Sequence, residues 1–571
     1  MMTDLLLRGA SISAIALAWG MGTPVLAQDA AARTADIVLT GGNILTVDDD
    51  FSSVSAVAIS DGRFVAVGSD EEVSALVGPD TRNIDLGGRT VVPGLIDNHL
   101  HQLSAALNAP LVSFLDARSI ADVQEAVAAR VAETAPGEWI QASSAWHEST
   151  LAEGRLPTRH DLDAVSPDNP VYVPRGGHVV TVNSAALAAA GITRDTPNPE
   201  GGIIVRDEQG EPTGVLLESA TYLVREVLPP GAPPEDQARL LTDFMKELNA
   251  YGVVGVVEPG LSAEQIELYD QLRQQGELTV RTSLLYRIRG LEDAQTFVDS
   301  YDRDFSDDML SIDGVKFLLD GGVEGAYLNE PYEIVEGEQT DPEFRGVLLL
   351  PPGGQEELVE AYKVIAEDGW QVQTHAVGDA TIDAALDAYE AVNATTPISD
   401  LRWALMHVFL PSADAMERMK EMQVLATVQD HALLLGHNQL RYWGEERAAY
   451  AIPIRSLLDA GVETSGGTDA PVLPASPFLS ISWMTTRELM NGSVLGPEQA
   501  ITREEALRLW TIESAYLVGT EEDRGSIEVG KLADLAVLSG DLMSVSDEEL
   551  KSLTAELTML GGEVVHGSLE Q

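Results

Sequence analysis

Five stretches of this chain carry side chains able to hold a metal ion and move a proton. His99 and His101 are separated by one residue and close the apolar run Val91-Val92-Pro93-Gly94-Leu95-Ile96. On a strand, alternate side chains share a face, so both rings point the same way, and two neutral imidazoles on one face can hold one divalent ion. Farther along come Lys316 in Asp313-Gly314-Val315-Lys316-Phe317, His375 after Gln371-Val372-Gln373-Thr374, His407 after Ala404-Leu405-Met406, and Asp469 in Gly466-Gly467-Thr468-Asp469-Ala470-Pro471. Each alone has a plain structural reading: a hydrogen-bonded core histidine, a lysine at a bulge or edge, an aspartate in a turn. As a set they lie in or at the ends of short apolar strand patterns, where side chains from distant stretches can converge. The chain has no cysteine, which excludes disulfides, thiolate ligands and thiol nucleophiles.

The elements that must position these groups recur regularly. Strand patterns fall at 91–101, 252–258, 279–288, 314–320, 370–375, 402–408, 424–429 and 462–469. Amphipathic stretches such as 263–275, 355–367 and 412–422 lie between most of them. Eight strands alternating with helices predict an α/β fold, the (β/α)8 TIM barrel, whose active sites form at the C-terminal strand ends. A doubly wound open sheet is the competing fold; no glycine-rich phosphate turn follows the first strand to support it. A subdomain of about 104–231 is inserted after strand 1, its exit marked by the linker Pro229-Pro230-Gly231-Ala232-Pro233-Pro234. Short β-like runs at both chain ends, such as Asp36-Ile37-Val38-Leu39 and Leu535-Ala536-Val537-Leu538, predict one β-sandwich. The expected domains are a sandwich half over 28–92, the barrel over 93–520 and the second sandwich half over 521–571.

Composition narrows the function classes. The chain has 571 residues, 44% of them hydrophobic, enough for a large buried core. Its net charge of -56 repels nucleic acid and anionic membrane surfaces. Residues 1–27 read as a targeting segment: Arg8 precedes an apolar stretch that ends in Val25-Leu26-Ala27. Gly20, Gly22 and Pro24 break that stretch, which is too short for a good membrane span. The expectation is an exported protein of the bacterial periplasm that starts at Gln28 and takes a small-molecule substrate, with no nucleic-acid partner and no membrane anchor. A homo-oligomer is compatible with this composition.

The chain resembles the metal-dependent amidohydrolase superfamily and, within it, the YtcJ-like branch, amidohydrolase family 3. The resemblance rests on Pro93-Gly94-Leu95-Ile96-Asp97-Asn98-His99-Leu100-His101, Gly314-Val315-Lys316, Thr374-His375-Ala376-Val377-Gly378-Asp379, His407 and Gly467-Thr468-Asp469-Ala470-Pro471. Arg175-Gly176-Gly177-His178 in the insertion and Gly525-Ser526-Ile527-Glu528-Val529-Gly530-Lys531-Leu532-Ala533-Asp534-Leu535 near the end add to it. It implies that His99, His101 and Asp469 bind one divalent ion, expected to be Zn2+, and that His375 and His407 bind a second where two are present. It also implies that Lys316 is carboxylated to N6-carboxylysine and bridges them; an unmodified Lys316 would leave the site or pair with Asp320. The metal would lower the pKa of bound water from about 15.7 towards about 7. Asp469 would then act as general base and acid. His178 is either the donor that polarises the scissile carbonyl or a loop histidine. Trp146 and His431 are candidate substrate contacts, whereas His147 and His437 read equally well as surface-loop residues. The expected function is an exported metal-dependent hydrolase of an amide-type C–N bond. The alternatives are ester or lactone hydrolysis at the same centre, or a metal- or solute-binding protein without turnover.

Overall fold

The computed structural model describes residues 34–176, 179–199, 202–303, 305–335 and 339–569. The segment 1–27 and His178 lie outside these residues. Eight parallel strands form the central sheet: β1 (Leu95–Asp97), β2 (Val253–Leu261), β3 (Arg281–Arg287), β4 (Leu310–Leu318), β5 (Gln371–Ala376), β6 (Ala404–His407), β7 (Leu425–Gln429) and β8 (Thr464–Gly467). Their order in space is their order in sequence. Helices such as Ala263–Gln275, Gly354–Glu367 and Ala413–Met422 follow the strands and bury their apolar faces against them. Asn98 N donates to the Gly466 carbonyl at 3.1 Å and Asp469 N to the His99 carbonyl at 2.7 Å, stitching β1 to β8 and nearly closing the barrel. Gly467 makes this closure feasible, because a side chain there would collide with Asn98 and Asp97. The barrel is thus the predicted TIM fold.

The run expected as one strand over 91–101 is two. Thr90–Pro93 pairs with Asn43–Leu45 and Leu535–Leu538 in a sheet outside the barrel, and only Leu95–Asp97 enters it. Gly94 marks the switch; a side chain at this position would strike Val254. His99 and His101 therefore lie beyond the strand, on the turn into helix α1 (Gln102–Asn108).

Two further sheets lie outside the barrel: one of four strands from the N-terminal part alone, and one of six strands drawn from both chain ends. These share an apolar core that includes Leu39, Ile59, Phe64, Val91, Leu535 and Met559. Arg281 at the start of β3 donates to both oxygens of Asp534, at 2.8 and 3.0 Å, and ties this layer to the barrel floor. The insertion holds its own five-stranded sheet, which includes Val171–Arg175, Val179–Val182, Gly202–Arg206 and Pro212–Glu218. Among the described residues, no helix is long and apolar enough to cross a membrane.

Candidate active site

His99, His101, Lys316, His375, His407 and Asp469 converge at the C-terminal end of the barrel. Asp469 Oδ1 lies 3.5 Å from His99 Nε2 and 3.4 Å from His101 Nε2. Lys316 Nζ, on β4, lies 3.4 Å from His99 Nε2. The His407 ring, at the end of β6, sits 4.8 Å from that of His99 and 4.5 Å from that of His375. Ligand atoms of His99, His407 and Asp469 all fall within 4.8 Å of one another. Two of these residues hold unusual backbone: His407 has φ 75° and Asp469 φ 59°, and Val408 beside His407 has φ 45°. Left-handed conformations are costly for residues with side chains and cluster where function requires them.

The protonation states suit metal binding. Burial, followed by the charge of Lys316, holds His99 well below its ordinary pKa, and burial does the same to His407. Burial also brings His101 down to about 4, despite the nearby Asp469 carboxylate. All three rings are neutral and offer a lone pair. His407 Nδ1 lies 2.7 Å from Gln429 Oε1, which can only accept, so Nδ1 carries the proton and Nε2 is left as ligand. For Asp469, burial favours the neutral acid, but the hydrogen bond from His431 and the nearby Lys316 amine bring its pKa below the ordinary value. Among the described residues, the buried atoms Asp469 Oδ1, His99 Nδ1 and His431 Nδ1 have no hydrogen-bond partner. A converging set of neutral imidazoles and an ionised carboxylate with an unsatisfied oxygen fits a divalent ion.

Lys316 does not behave as an unmodified lysine was expected to. It stays buried against His99 and does not turn to Asp320. The Asp320 carboxylate is already engaged by Val377 N at 3.1 Å, Gly378 N at 2.8 Å and Thr381 Oγ1 at 2.7 Å. Burial pushes the Lys316 amine down to about 7, against the opposing pull of Asp469.

Over the centre lies a chamber of about 200 Å3. Val323, Val377, Phe409, Leu434, Leu435 and Trp146 give it apolar walls, and His375, His407, His431 and Asp469 form its polar end. His431 begins the helix α2 (Ala432–Tyr450) and lies 2.9 Å from Asp469 Oδ2 through its Nε2. Trp146 is buried, its Nε1 donating to the Pro174 carbonyl at 2.7 Å. The insertion supplies Trp146 and Arg175 to the chamber lining and so roofs the barrel mouth.

A model of the amidohydrolase family matches residues 82–566. The chain belongs to the amidohydrolase family. It is 32% identical over 542 residues to the N-substituted formamide deformylase of Arthrobacter pascens, covering 92% of this chain and 97% of that protein. It is 30% identical to YtcJ of Bacillus subtilis (strain 168), covering 92% and 98%. The crystal structure of an uncharacterized metal-dependent hydrolase from Pyrococcus horikoshii OT3 superposes with a TM-score of 0.70 at 25% identity, covering 90% of this chain and 99% of that one.

Several groups of this amidohydrolase's site escaped the sequence reading. His147 is no surface residue. It is buried, its Nε2 lies 2.9 Å from Asn438 Oδ1, and its Nδ1 accepts from Ser149 N at 3.1 Å. Asn438 Nδ2 then donates to Glu324 Oε1 at 2.6 Å, and Glu324 pairs with Arg175 at 3.3 Å. Arg175 also meets Glu148 at 3.1 Å. His437 lies 6.1 Å, ring to ring, from His147 and lines a separate surface cavity rather than the chamber. Behind the ligands, Gln429 Nε2 donates to Asn98 Oδ1 at 3.2 Å, and Asn98 Nδ2 to Ser465 Oγ at 2.8 Å. Asp97 accepts from Thr468 Oγ1 at 2.7 Å, and burial pushes its carboxyl up to about 7. Asp430 is buried beside these carboxylates and held well above its ordinary pKa by burial and their charge. Strand-end position was the available signal for Gln429 and Asp430. Nothing local marked Glu324 or Asn438.

Proposed function

We propose that this amidohydrolase hydrolyses the C–N bond of a small N-substituted amide with a short acyl group, such as a formamide. The observation that carries the reading is the meeting of the histidine–aspartate cluster with an apolar chamber of only about 200 Å3. The similarity to an N-substituted formamide deformylase along nearly the whole of both chains supports the substrate class. His99, His101, His375, His407 and Asp469 would hold the metal, with Lys316 joining them as a carbamate. When bound, a divalent ion of the Zn2+ type acidifies water and polarises a carbonyl.

The chain's own groups do the rest. Asp469 Oδ1 faces the two histidines and is placed to take a proton from the attacking water and return it to the leaving nitrogen. His431 donates to Oδ2 and fixes the carboxylate's rotation. The apolar walls seat the organic substituent and exclude bulk water, which strengthens the polar interactions inside. Arg175 is held between Glu148 and Glu324, so it offers no unpaired cation to an anionic substrate.

The test is amine release from N-substituted formamides and acetamides by protein stripped of metal and reloaded with Zn2+, with aryl esters and lactones as comparison. Formamide turnover is expected to disappear on stripping and return on reloading. Ester or lactone turnover without amide turnover would overturn the reading, as would full activity in the stripped protein.

A further inference from the structure

The chamber over the metal centre is small for its kind. Its volume of about 200 Å3 lies below the usual range for small-molecule sites, about 300–1,000 Å3. A second cavity of about 300 Å3 adjoins it, and Arg175 and Glu324 line both. Its apolar walls come from Leu156, Val179, Ile203 and Leu217 of the insertion, with Phe344 and Tyr442 opposite. Ile203 and Leu217 face each other across paired antiparallel strands, yet Ile203 is 39% exposed. Arg175 is only 8% exposed, its contacts to Glu148 and Glu324 run from 3.1 to 3.4 Å, and its Nε lies 3.1 Å from Glu148 Oε2 as an ion pair without hydrogen-bond geometry. Glu324 also accepts a 2.6 Å hydrogen bond from Asn438 Nδ2.

We propose that the two cavities form one substrate channel. The amide sits in the inner chamber, and an unbranched apolar N-substituent passes the Arg175–Glu324 pair into the outer one. The natural substrate class is then a short-acyl amide of a long-chain alkylamine. This rests on the amide-hydrolase reading above. Glu148 and Glu324 share the single cation Arg175 in the lining of the outer cavity, so a tail ending in a carboxylate meets net negative charge.

The experiment is kcat/KM of the Zn2+-loaded protein for N-alkylformamides from methyl to decyl. The value is expected to rise about fourfold per methylene once the chain outgrows the inner chamber, and to fall back when a carboxylate replaces the terminal methyl. In Ile203→Glu, and separately in Leu217→Gln, the ratio of the decyl to the methyl value is expected to drop at least tenfold. Ile203 stands half in solvent, so its replacement tests the channel without emptying a core. A series that is flat or declining with length overturns the channel, and turnover of the short members then leaves the hydrolase reading standing. Turnover of no member overturns the hydrolase reading. In that case calorimetric titration with methylamine and decylamine tests the channel alone, and length-independent affinity overturns it. A tail ending in an ammonium group that outperforms the plain alkyl chain also overturns the apolar assignment.

Discussion

Asp469 faces two ways at once. One oxygen points at the two histidines of the His-x-His pair and the other at His431. Its left-handed backbone at the end of β8 sets that direction, and Asp469 N bonded to the His99 carbonyl fixes it. Replacing the carboxylate by an amide keeps the shape and one ligating oxygen but removes the base. Asp469→Asn should therefore lower kcat by about 1,000-fold or more, with most of the metal retained when measured by elemental analysis. His431→Gln removes the orienting imidazole and leaves the base. It should cost about 10- to 100-fold in kcat, in line with other groups that orient a catalytic residue. A variant Asp469→Asn that turned over at the parental rate would end the base assignment. Equal losses in both variants would make His431 a direct participant in the chemistry.

At the level of elements, the placement of His101 depends on how α1 starts. His101 occupies the N-cap position but gives no side-chain hydrogen bond there, so the first free N–H of the helix must find another acceptor. Gln102 N donates instead to the carboxyl of Glu258 on β2, and the Tyr269 hydroxyl closes the group by donating to Gln102 Oε1 at 3.1 Å. Burial pushes Glu258 up to about 8. A carboxyl whose folded pKa exceeds its unfolded value contributes most below the unfolded value, about 4.3, and that contribution is lost as pH rises through about 8. Glu258→Gln mimics the neutral acid at every pH. The melting temperature of Glu258→Gln relative to the parent should therefore climb by about 3 °C or more between pH 5 and pH 8.5. A difference that stayed constant with pH, followed by calorimetry, would show that Glu258 does not titrate in this window. Glu258 also shows where the sequence was silent. The His-x-His pair, Lys316, His375, His407 and Asp469 were legible because barrel geometry makes strand ends converge, and strand patterns can be read locally. Glu258, Asn438, Glu324 and the buried state of His147 depend on packing between elements far apart in the chain, and no spacing rule reports it. The split of 91–101 into two strands was missed for the same reason: Gly94 is needed because Val254, 160 positions away, lies against it. The barrel strands were located to within a few residues, since apolar runs bounded by turns mark strand cores better than strand ends.

The whole molecule carries 91 acidic residues against 35 lysines and arginines. Cations are therefore shared: Arg418 meets Asp383, Asp387 and Glu390 at 3.8, 2.7 and 2.7 Å, and Arg175 meets both Glu148 and Glu324. Sharing cannot neutralise the surplus, and a net charge of -56 opposes compaction by self-repulsion. Screening acts on both sides of this balance. Salt weakens the exposed pairs, each worth about 0–1 kcal/mol, and it weakens the repulsion among the far more numerous unpaired carboxylates. Because repulsion sums over many more partners than attraction does, the second effect should win. Raising NaCl from 10 mM to 0.5 M shortens the screening length from about 30 Å to under about 5 Å, and should raise the melting temperature by about 5 °C. Chloride rather than sulfate keeps the result free of the excluded-solute effect that stabilises any protein. A melting temperature that held steady or fell over this range would mean that shared pairs such as those of Arg418 outweigh the repulsion, and that the acidic surface does not strain the fold.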